Sequence, residues 1–169
     1  MVILDYRYMQ CIMRRDFFEQ ENFLEVDTPA LSPTLIPETC LEVFKTEYIE
    51  PWSEKKLDLF LVPSPEVYIK PLIAKHKLSV FQISKCYRNV ESVGRTHSPE
   101  FTMLEYYKLD ANYMDSLDLT EKLFVFLDKK FNLPQDLKPP FKRLTMNQAF
   151  FDCAHFYLSD CQKVEDLAK

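Results

Sequence analysis

Apolar and polar residues alternate most clearly in two segments near the middle of the chain, residues 80–88 and 99–108. A period of two is typical of a half-buried β-strand, so both segments are predicted to be strands. The polar segment between them contains the only glycine, Gly94, and is predicted to be the long loop of an antiparallel hairpin. One face of this hairpin is predicted to carry mostly polar side chains, including Gln82, Ser84, Arg88, Glu105 and Tyr107.

A period of three to four residues predicts helices over residues 8–21 and 66–76, and a third from Asp115 to about Asn132. Two more helices are predicted to start at Thr145 and Ser159, because each has a Gln three residues later, as in a capping box. The last of these has no Gly or Pro before Lys169, so it is expected to continue to the final residue.

Shorter elements connect these segments. Asn22 is predicted to end the first helix in a left-handed conformation, and residues 23–28 to form a short edge strand before Pro29. Residues 34–56 are a connector or a hairpin, and 57–62 are predicted to form a buried strand. The order of elements predicts an α+β fold over residues 1–169, a single domain with an antiparallel sheet flanked by helices.

Composition excludes several classes of protein. The chain has 169 residues, 47% of them hydrophobic and 14% aromatic, and no apolar run approaches the roughly 20 residues of a membrane span. A net charge of -5 without a basic run argues against nonspecific nucleic-acid binding. One glycine cannot build a Gly-rich phosphate loop. Five cysteines without a CxxC pair predict reduced thiols in a cytoplasmic protein and no metal site.

Arg88, Glu105 and Tyr107 are the side chains of the predicted hairpin face that carry charge or a phenol. A fixed cation, a carboxylate and a phenol on one sheet face suit a zwitterionic or phosphorylated ligand. They also suit a plain cross-strand ion pair between Arg88 and Glu105. The residue pattern favours the ion pair and does not decide between the two.

Four segments carry a resemblance to a known family. Residues 14–29 (RRDFFEQENFLEVDTP) resemble motif 1 of the class II aminoacyl-tRNA synthetases of the lysine, aspartate and asparagine subgroup. Residues 80–89 (VFQISKCYRN) and 94–107 (GRTHSPEFTMLEYY) resemble motif 2, and 63–72 (PSPEVYIKPL) resemble the lysine-subgroup segment between the motifs. The resemblance covers most of residues 7–169 and is nearest to the elongation factor P lysine ligases, which are free-standing paralogues of lysyl-tRNA synthetases.

The resemblance implies an ATP site. Arg88 would contact the α-phosphate and the amino-acid carboxylate, and Phe101 would stack on adenine. Asn89 and His97 would also contact the nucleotide. Ser98 stands where relatives carry an asparagine, and Glu91 is the displaced equivalent of a glutamate that follows Asn in relatives.

The resemblance also implies a lysine site, formed by Glu66, Glu105 and Tyr107 and completed by Ser64. Carboxylates shielded from water select an ammonium ligand through charge-assisted hydrogen bonds. The family further implies Mg²⁺, although no residue of this chain matches its ligands, and a homodimer formed through residues 8–29.

The implied activity is ATP-dependent activation of lysine or β-lysine as an adenylate, followed by ligation to a lysine of elongation factor P. The segment before motif 1 is too short for an N-terminal oligonucleotide-binding barrel, so tRNA is not expected as a substrate. No segment resembles motif 3, so residues 1–169 are expected to be the N-terminal half of a catalytic domain. The alternatives are an inactive paralogue that acts as a binding or dimerisation module, and a fragment of a lysyl-tRNA synthetase.

Overall fold

A computed structural model describes residues 3–90, 92–95 and 97–160. The chain divides into two compact units, Met1–Ser116 and Leu117–Lys169. The single domain over residues 1–169 stays a prediction. The helices and strands, in chain order, are α1 (Ile3–Ile12), β1 (Leu24–Glu25), β2 (Leu31–Ser32), β3 (Lys45–Ile49), β4 (Lys56–Leu61), α2 (Glu66–His76), β5 (Val80–Tyr87), β6 (Glu100–Tyr107), α3 (Tyr113–Phe131) and α4 (Met146–Ala154).

The first sheet has the strand order β1-β5-β6 and confirms the predicted antiparallel hairpin. Its register pairs Gln82 with Glu105 and Cys86 with Phe101, so the polar side chains share one face. The expectation of an antiparallel sheet is only partly correct, because β5 and β6 are antiparallel but β1 runs parallel to β5. The chain reaches β5 from β1 through the long 26–79 connection, which allows a parallel pairing that a tight turn would exclude.

The second sheet has the strand order β2-β4-β3. Of the two alternatives for residues 34–56, the hairpin is realised, with Tyr48 opposite Leu57. The prediction that 57–62 is buried is only partly correct, since the first half of β4 is exposed and the second half is half-buried. The tip of this hairpin carries the only tryptophan, Trp52, which is 97% exposed.

Aromatic residues form the core beneath the first sheet. Phe18 and Phe81 are fully buried and stack with ring centroids 4.5 Å apart, and Phe23 meets Phe18 edge to face at 5.4 Å. Burying each such side chain stabilises the fold by roughly 1.5–3 kcal/mol. Tyr106, on the face of β6 opposite Glu105, also contacts Phe18. This core fixes which face of the hairpin is left for a ligand.

The first helix begins at Ile3 and becomes a π-helical turn over Met13–Phe18. Asn22 has a φ of 63°, as predicted for the residue that ends it. Arg14, which was expected to point outward, is instead half-buried, because its guanidinium pairs with Glu25 at 2.9 Å and donates to the Ile83 carbonyl at 3.1 Å. The first helix is thereby hydrogen-bonded to β5, the strand that carries part of the polar face.

The prediction of a helix over residues 66–76 is confirmed, with Pro65 as its N-cap. Pro71 lies inside the helix and does not end it. Pro63, Ser64 and Pro65 are buried, so the segment that enters α2 is fixed against the body of the first unit.

The second unit contains most of α3 and all of α4. Leu119, Leu123 and Leu127 are buried at four-residue spacing, as the periodicity predicted. Thr145 caps α4 by accepting the Gln148 N–H at 3.1 Å, which confirms that capping prediction. The helix predicted after Ser159 falls mostly outside the described residues. No helix among those described is long and apolar enough to cross a membrane.

Candidate active site

Glu105 lies at the centre of a hydrogen-bonded group on the polar face of the first sheet. The Ser64 hydroxyl donates to Glu105 Oε2 at 2.7 Å, and the Tyr107 phenol donates to Glu105 Oε1 at 2.6 Å. Each carboxylate oxygen therefore has one short O–H donor and keeps a further lone pair for a ligand. Of the four residues predicted for the lysine site, Ser64 and Tyr107 are thus both hydrogen-bonded to a third, Glu105.

Ser64 connects this carboxylate to the start of α2. Its hydroxyl oxygen accepts the backbone N–H of Glu66 at 3.1 Å while its proton goes to Glu105. The side chain thus satisfies one of the free N–H groups at the helix N-terminus. As a result, one buried hydroxyl connects the Glu105 carboxylate to the backbone of Glu66.

Burial raises the pKa of the Tyr107 phenol far above its ordinary value, and the hydrogen bond to Glu105 adds to the shift. The nearby charges of Glu105 and Glu66 raise it further, because each carboxylate opposes a phenolate. Tyr107 is therefore a fixed hydrogen-bond donor at physiological pH. The carboxylates of Glu105 and Glu66 place negative charge next to this phenol, so a cation would be favoured here.

Glu66, the fourth predicted lysine-site residue, is half-buried and forms an ion pair with Lys70 one helical turn later. The pKa of Lys70 is raised mainly by its hydrogen bond to Glu66 and then by that carboxylate's charge, with smaller contributions from Glu105 and Glu38. An ammonium group of the protein thus sits at the edge of the predicted lysine site. This residue was not among those predicted.

Arg88 lies on the same sheet face, beyond the end of β5. Its backbone N–H donates to the Pro99 carbonyl at 2.9 Å, so the hairpin pairing continues to this position. Its guanidinium carbon lies 5.2 Å from the centroid of the Phe101 ring. Its Nε is buried and has no hydrogen-bond partner, which leaves a donor available for an anionic group.

The ion pair between Arg88 and Glu105, which the residue pattern favoured, is not formed. Among the described residues, Arg88 is engaged by Phe101 and Glu105 by Ser64 and Tyr107. The Cys86 thiol lies on the same face, and burial raises its pKa, opposed by a hydrogen bond with Ser84, with smaller contributions from the charges of Glu105, which raises it, and Arg88, which lowers it.

The residues predicted for the nucleotide loop are less closely assembled. Asn89 is exposed, and its N–H donates to the Glu42 carbonyl at 2.9 Å. His97 and Ser98 are exposed, and the His97 carbonyl accepts the Gly94 N–H at 3.0 Å. Glu91 lies outside the described residues. The structure brings Arg88 and Phe101 together among the predicted ATP contacts that it describes.

A metal centre is not formed by the part of the chain that is described. No three His, Cys, Asp or Glu side chains lie close enough there to hold an ion. Arg88 suits the phosphate of a nucleotide and Phe101 suits its base, but the described residues do not fit Mg²⁺.

The sequence interpretation did not identify two residues of this site, Lys70 and Gln82. The i,i+4 spacing of Glu66 and Lys70 in a predicted helix was a sufficient signal for the first. Gln82 was placed on the correct face, but only the strand register shows that it lies directly opposite Glu105.

Comparison with known proteins gives consistent results. Residues 2–165 match the family described as tRNA synthetases class II (D, K and N). The elongation factor P (R)-beta-lysine ligase of Vibrio atlanticus (strain LGP32) is 40% identical over 139 residues, 82% of this chain and 40% of the relative. The lysine tRNA ligase of Campylobacter jejuni (strain RM1221) is 38% identical over 144 residues, 80% of this chain and 28% of the relative. The chain thus spans well under half the length of both relatives.

Proposed function

The chain belongs to the class II tRNA synthetases of the D, K and N type. On that premise we propose that it is part of an ATP-dependent lysine ligase. The activity is activation of lysine or β-lysine as an adenylate, followed by transfer to a lysine side chain of elongation factor P in the cytoplasm. Two of the similar relatives are named as ligases that join (R)-beta-lysine to elongation factor P.

The observation that carries this proposal is the carboxylate of Glu105, held between two O–H donors on a partly buried sheet face. No cation of the described residues forms an ion pair with it. A charge-assisted hydrogen bond from an ammonium ligand is worth roughly 1.5–3 kcal/mol, and a neutral side chain would forfeit it. The site therefore favours an amino acid with a terminal amine.

The chemistry assigns separate roles to the two ends of this face. ATP supplies the electrophilic α-phosphorus, which the lysine carboxylate attacks as pyrophosphate leaves. Arg88 neutralises charge on the carboxylate and phosphate oxygens, and its unpartnered Nε gives it a free donor for that role. Phe101 offers its ring to the base. Glu105, Ser64, Tyr107 and Glu66 hold the amine end, so the carboxylate is directed toward Arg88.

Lysine-dependent exchange of pyrophosphate into ATP tests this proposal, because it measures adenylate formation without an acceptor protein. The assay is run with this chain and with the same chain extended to the length of its relatives. Exchange that requires lysine or β-lysine supports the proposal. Absence of exchange in both chains would reject it.

The alternative of a binding or dimerisation module is favoured by two exposed apolar residues in the segment predicted to form the homodimer, 8–29. Tyr8 is 60% exposed and Leu24 is 54% exposed. If this segment is the interface, Leu24→Glu should convert a dimer to a monomer in sedimentation velocity. A protein that dimerises through Leu24 but catalyses no exchange at either length would support this alternative.

The third candidate, a lysyl-tRNA synthetase fragment, is favoured by the name of the Campylobacter relative. Transfer assays distinguish it from the main proposal. Label that passes from lysine to tRNA supports this alternative, and label that passes to elongation factor P supports the main proposal.

A further inference from the structure

Gln82 is the most deeply buried polar side chain next to Glu105, being only 3% exposed. Its side-chain oxygen Oε1 is buried and accepts no hydrogen bond. Buried acceptors in folded proteins nearly always have a partner, and leaving one unpaired costs free energy. This oxygen therefore requires an explanation that the core packing does not supply.

Gln82 and Glu105 are direct cross-strand partners in the antiparallel pair of β5 and β6. The Cβ atoms of such partners lie about 4.5–5.5 Å apart on the same face of a sheet. The free acceptor thus belongs to a residue adjacent to the carboxylate assigned to the substrate amine.

A cavity of about 250 Å³ adjoins Gln82. Thr28, which also lines it, has a buried hydroxyl without a partner. The nearest basic side chain in the lining, Lys85, is paired with Glu100 at 3.0 Å. Among the described residues, no donor forms a hydrogen bond to Gln82 Oε1.

An ammonium group carries three N–H donors. Glu105 already accepts one O–H on each oxygen, and Glu66, the second carboxylate of the site, is already paired with Lys70. A neutral amide oxygen beside Glu105 supplies a further acceptor without adding negative charge to a partly buried site. A methyl group in place of the ammonium would leave that acceptor unpaired.

We propose that Gln82 is a specificity-determining residue, whose Oε1 accepts an N–H of the substrate ammonium held by Glu105. This inference rests on the proposed function, because it needs an amine substrate at Glu105. The Gln82 oxygen is an uncharged acceptor, and it disfavours amino acids whose side chain ends in an apolar group in place of the terminal amine.

This role makes two opposite predictions for one variant. Gln82→Met keeps the length and volume of the side chain but removes the acceptor. If the oxygen awaits a ligand, its removal should raise the melting temperature of the ligand-free protein, because an unpaired buried acceptor is lost. The same variant should bind lysine roughly tenfold to a hundredfold more weakly.

The experiment is calorimetric titration with L-lysine, and with norleucine, whose side chain ends in a methyl group in place of the amine, together with thermal unfolding. Gln82→Glu retains an acceptor and should retain lysine binding. Thr28→Val removes one of the unpartnered hydroxyls of the same cavity, and it should raise the melting temperature without weakening lysine binding. ATP affinity should be the same in all three variants.

Several results would overturn the inference. Lysine binding by Gln82→Met equal to that of the unmodified chain would remove the role of Gln82 and leave the proposed function intact. An equal loss in Thr28→Val, or a matching loss of ATP affinity, would assign the effect to packing. If the unmodified chain binds norleucine as tightly as lysine, the proposed function fails together with the inference.

Discussion

The two ends of the polar sheet face differ in how they are assembled. At the Glu105 end, every partner is carried by a strand or by the buried entry to α2, and the side chains already bond to one another. At the Arg88 end, Phe101 on β6 contacts Arg88, but Asn89, His97 and Ser98 are exposed, and Arg88 Nε has no partner. The amine end is therefore preorganised, whereas the nucleotide end must gain contacts when the ligand binds.

The most severe test of this difference is Glu105→Gln, which removes the charge but keeps the shape. We expect lysine affinity to fall about a hundredfold, because charge-assisted bonds become neutral ones, with ATP affinity unchanged. Titration calorimetry with each ligand measures this. Glu47→Gln, at an exposed glutamate paired with Lys56, is the matched control. An unchanged lysine affinity in Glu105→Gln would contradict the assignment.

Arg88→Lys probes the other end. Lysine keeps the positive charge but loses the planar fork and the stacking on Phe101, so ATP affinity should fall roughly tenfold. Because the amine end is preorganised, lysine affinity should fall less than ATP affinity. Arg143→Lys, at an exposed arginine paired with Glu121 in the second unit, is the control. If Arg88→Lys weakened lysine binding more than ATP binding, the amine end would not be the preorganised one.

Ser64→Ala should have a smaller effect. Glu105 loses one of its two O–H donors, and a net contribution of about 1 kcal/mol corresponds to a loss of roughly fivefold in lysine affinity. ATP affinity should not change. The matched serine is Ser53, which donates to Glu50 in the exposed β3-β4 turn, and Ser53→Ala should affect neither ligand. If the two serine variants behave alike, Ser64 does not position Glu105.

The smallest effect is expected at alkaline pH. The folded state raises the pKa of Tyr107 above the value of about 10 in the unfolded chain. The folded state then binds more protons than the unfolded state, so this stabilisation is present below about pH 10 and is lost as the pH rises further. Tyrosinate absorbance of the native chain, compared with Tyr107→Phe, reports the shift. Ordinary titration of Tyr107 would show that the Glu105 end is not preassembled.

Much of the fold follows from local sequence. The period of two in residues 80–88 and 99–108 identified the hairpin and its polar face, and Thr145 with Gln148 identified the start of α4. The parallel pairing of Leu24 with Val80 was not foreseen, because pairing across a long connection is not encoded in either segment alone. The π-helical turn at Met13–Phe18 was not foreseen either, because the apolar period of three to four residues predicted an ordinary α-helix there.

The site was predictable where a motif fixed the residue and less so where geometry fixed the partner. Glu105, Tyr107 and Ser64 were identified through the resemblance. The residue pattern alone favoured an ion pair between Glu105 and Arg88, and this ion pair does not form. The partner of Glu105 is Ser64, 41 positions earlier, and only the fold brings them together.

The exposed indole at the hairpin tip has a practical consequence for all of these measurements. Trp52 is the only tryptophan, and water surrounds it in the native chain almost as fully as it would after unfolding. Its emission spectrum should scarcely shift between the two states. Tryptophan fluorescence would then show little change on unfolding or on substrate binding. Calorimetry and near-ultraviolet dichroism are therefore the informative methods here.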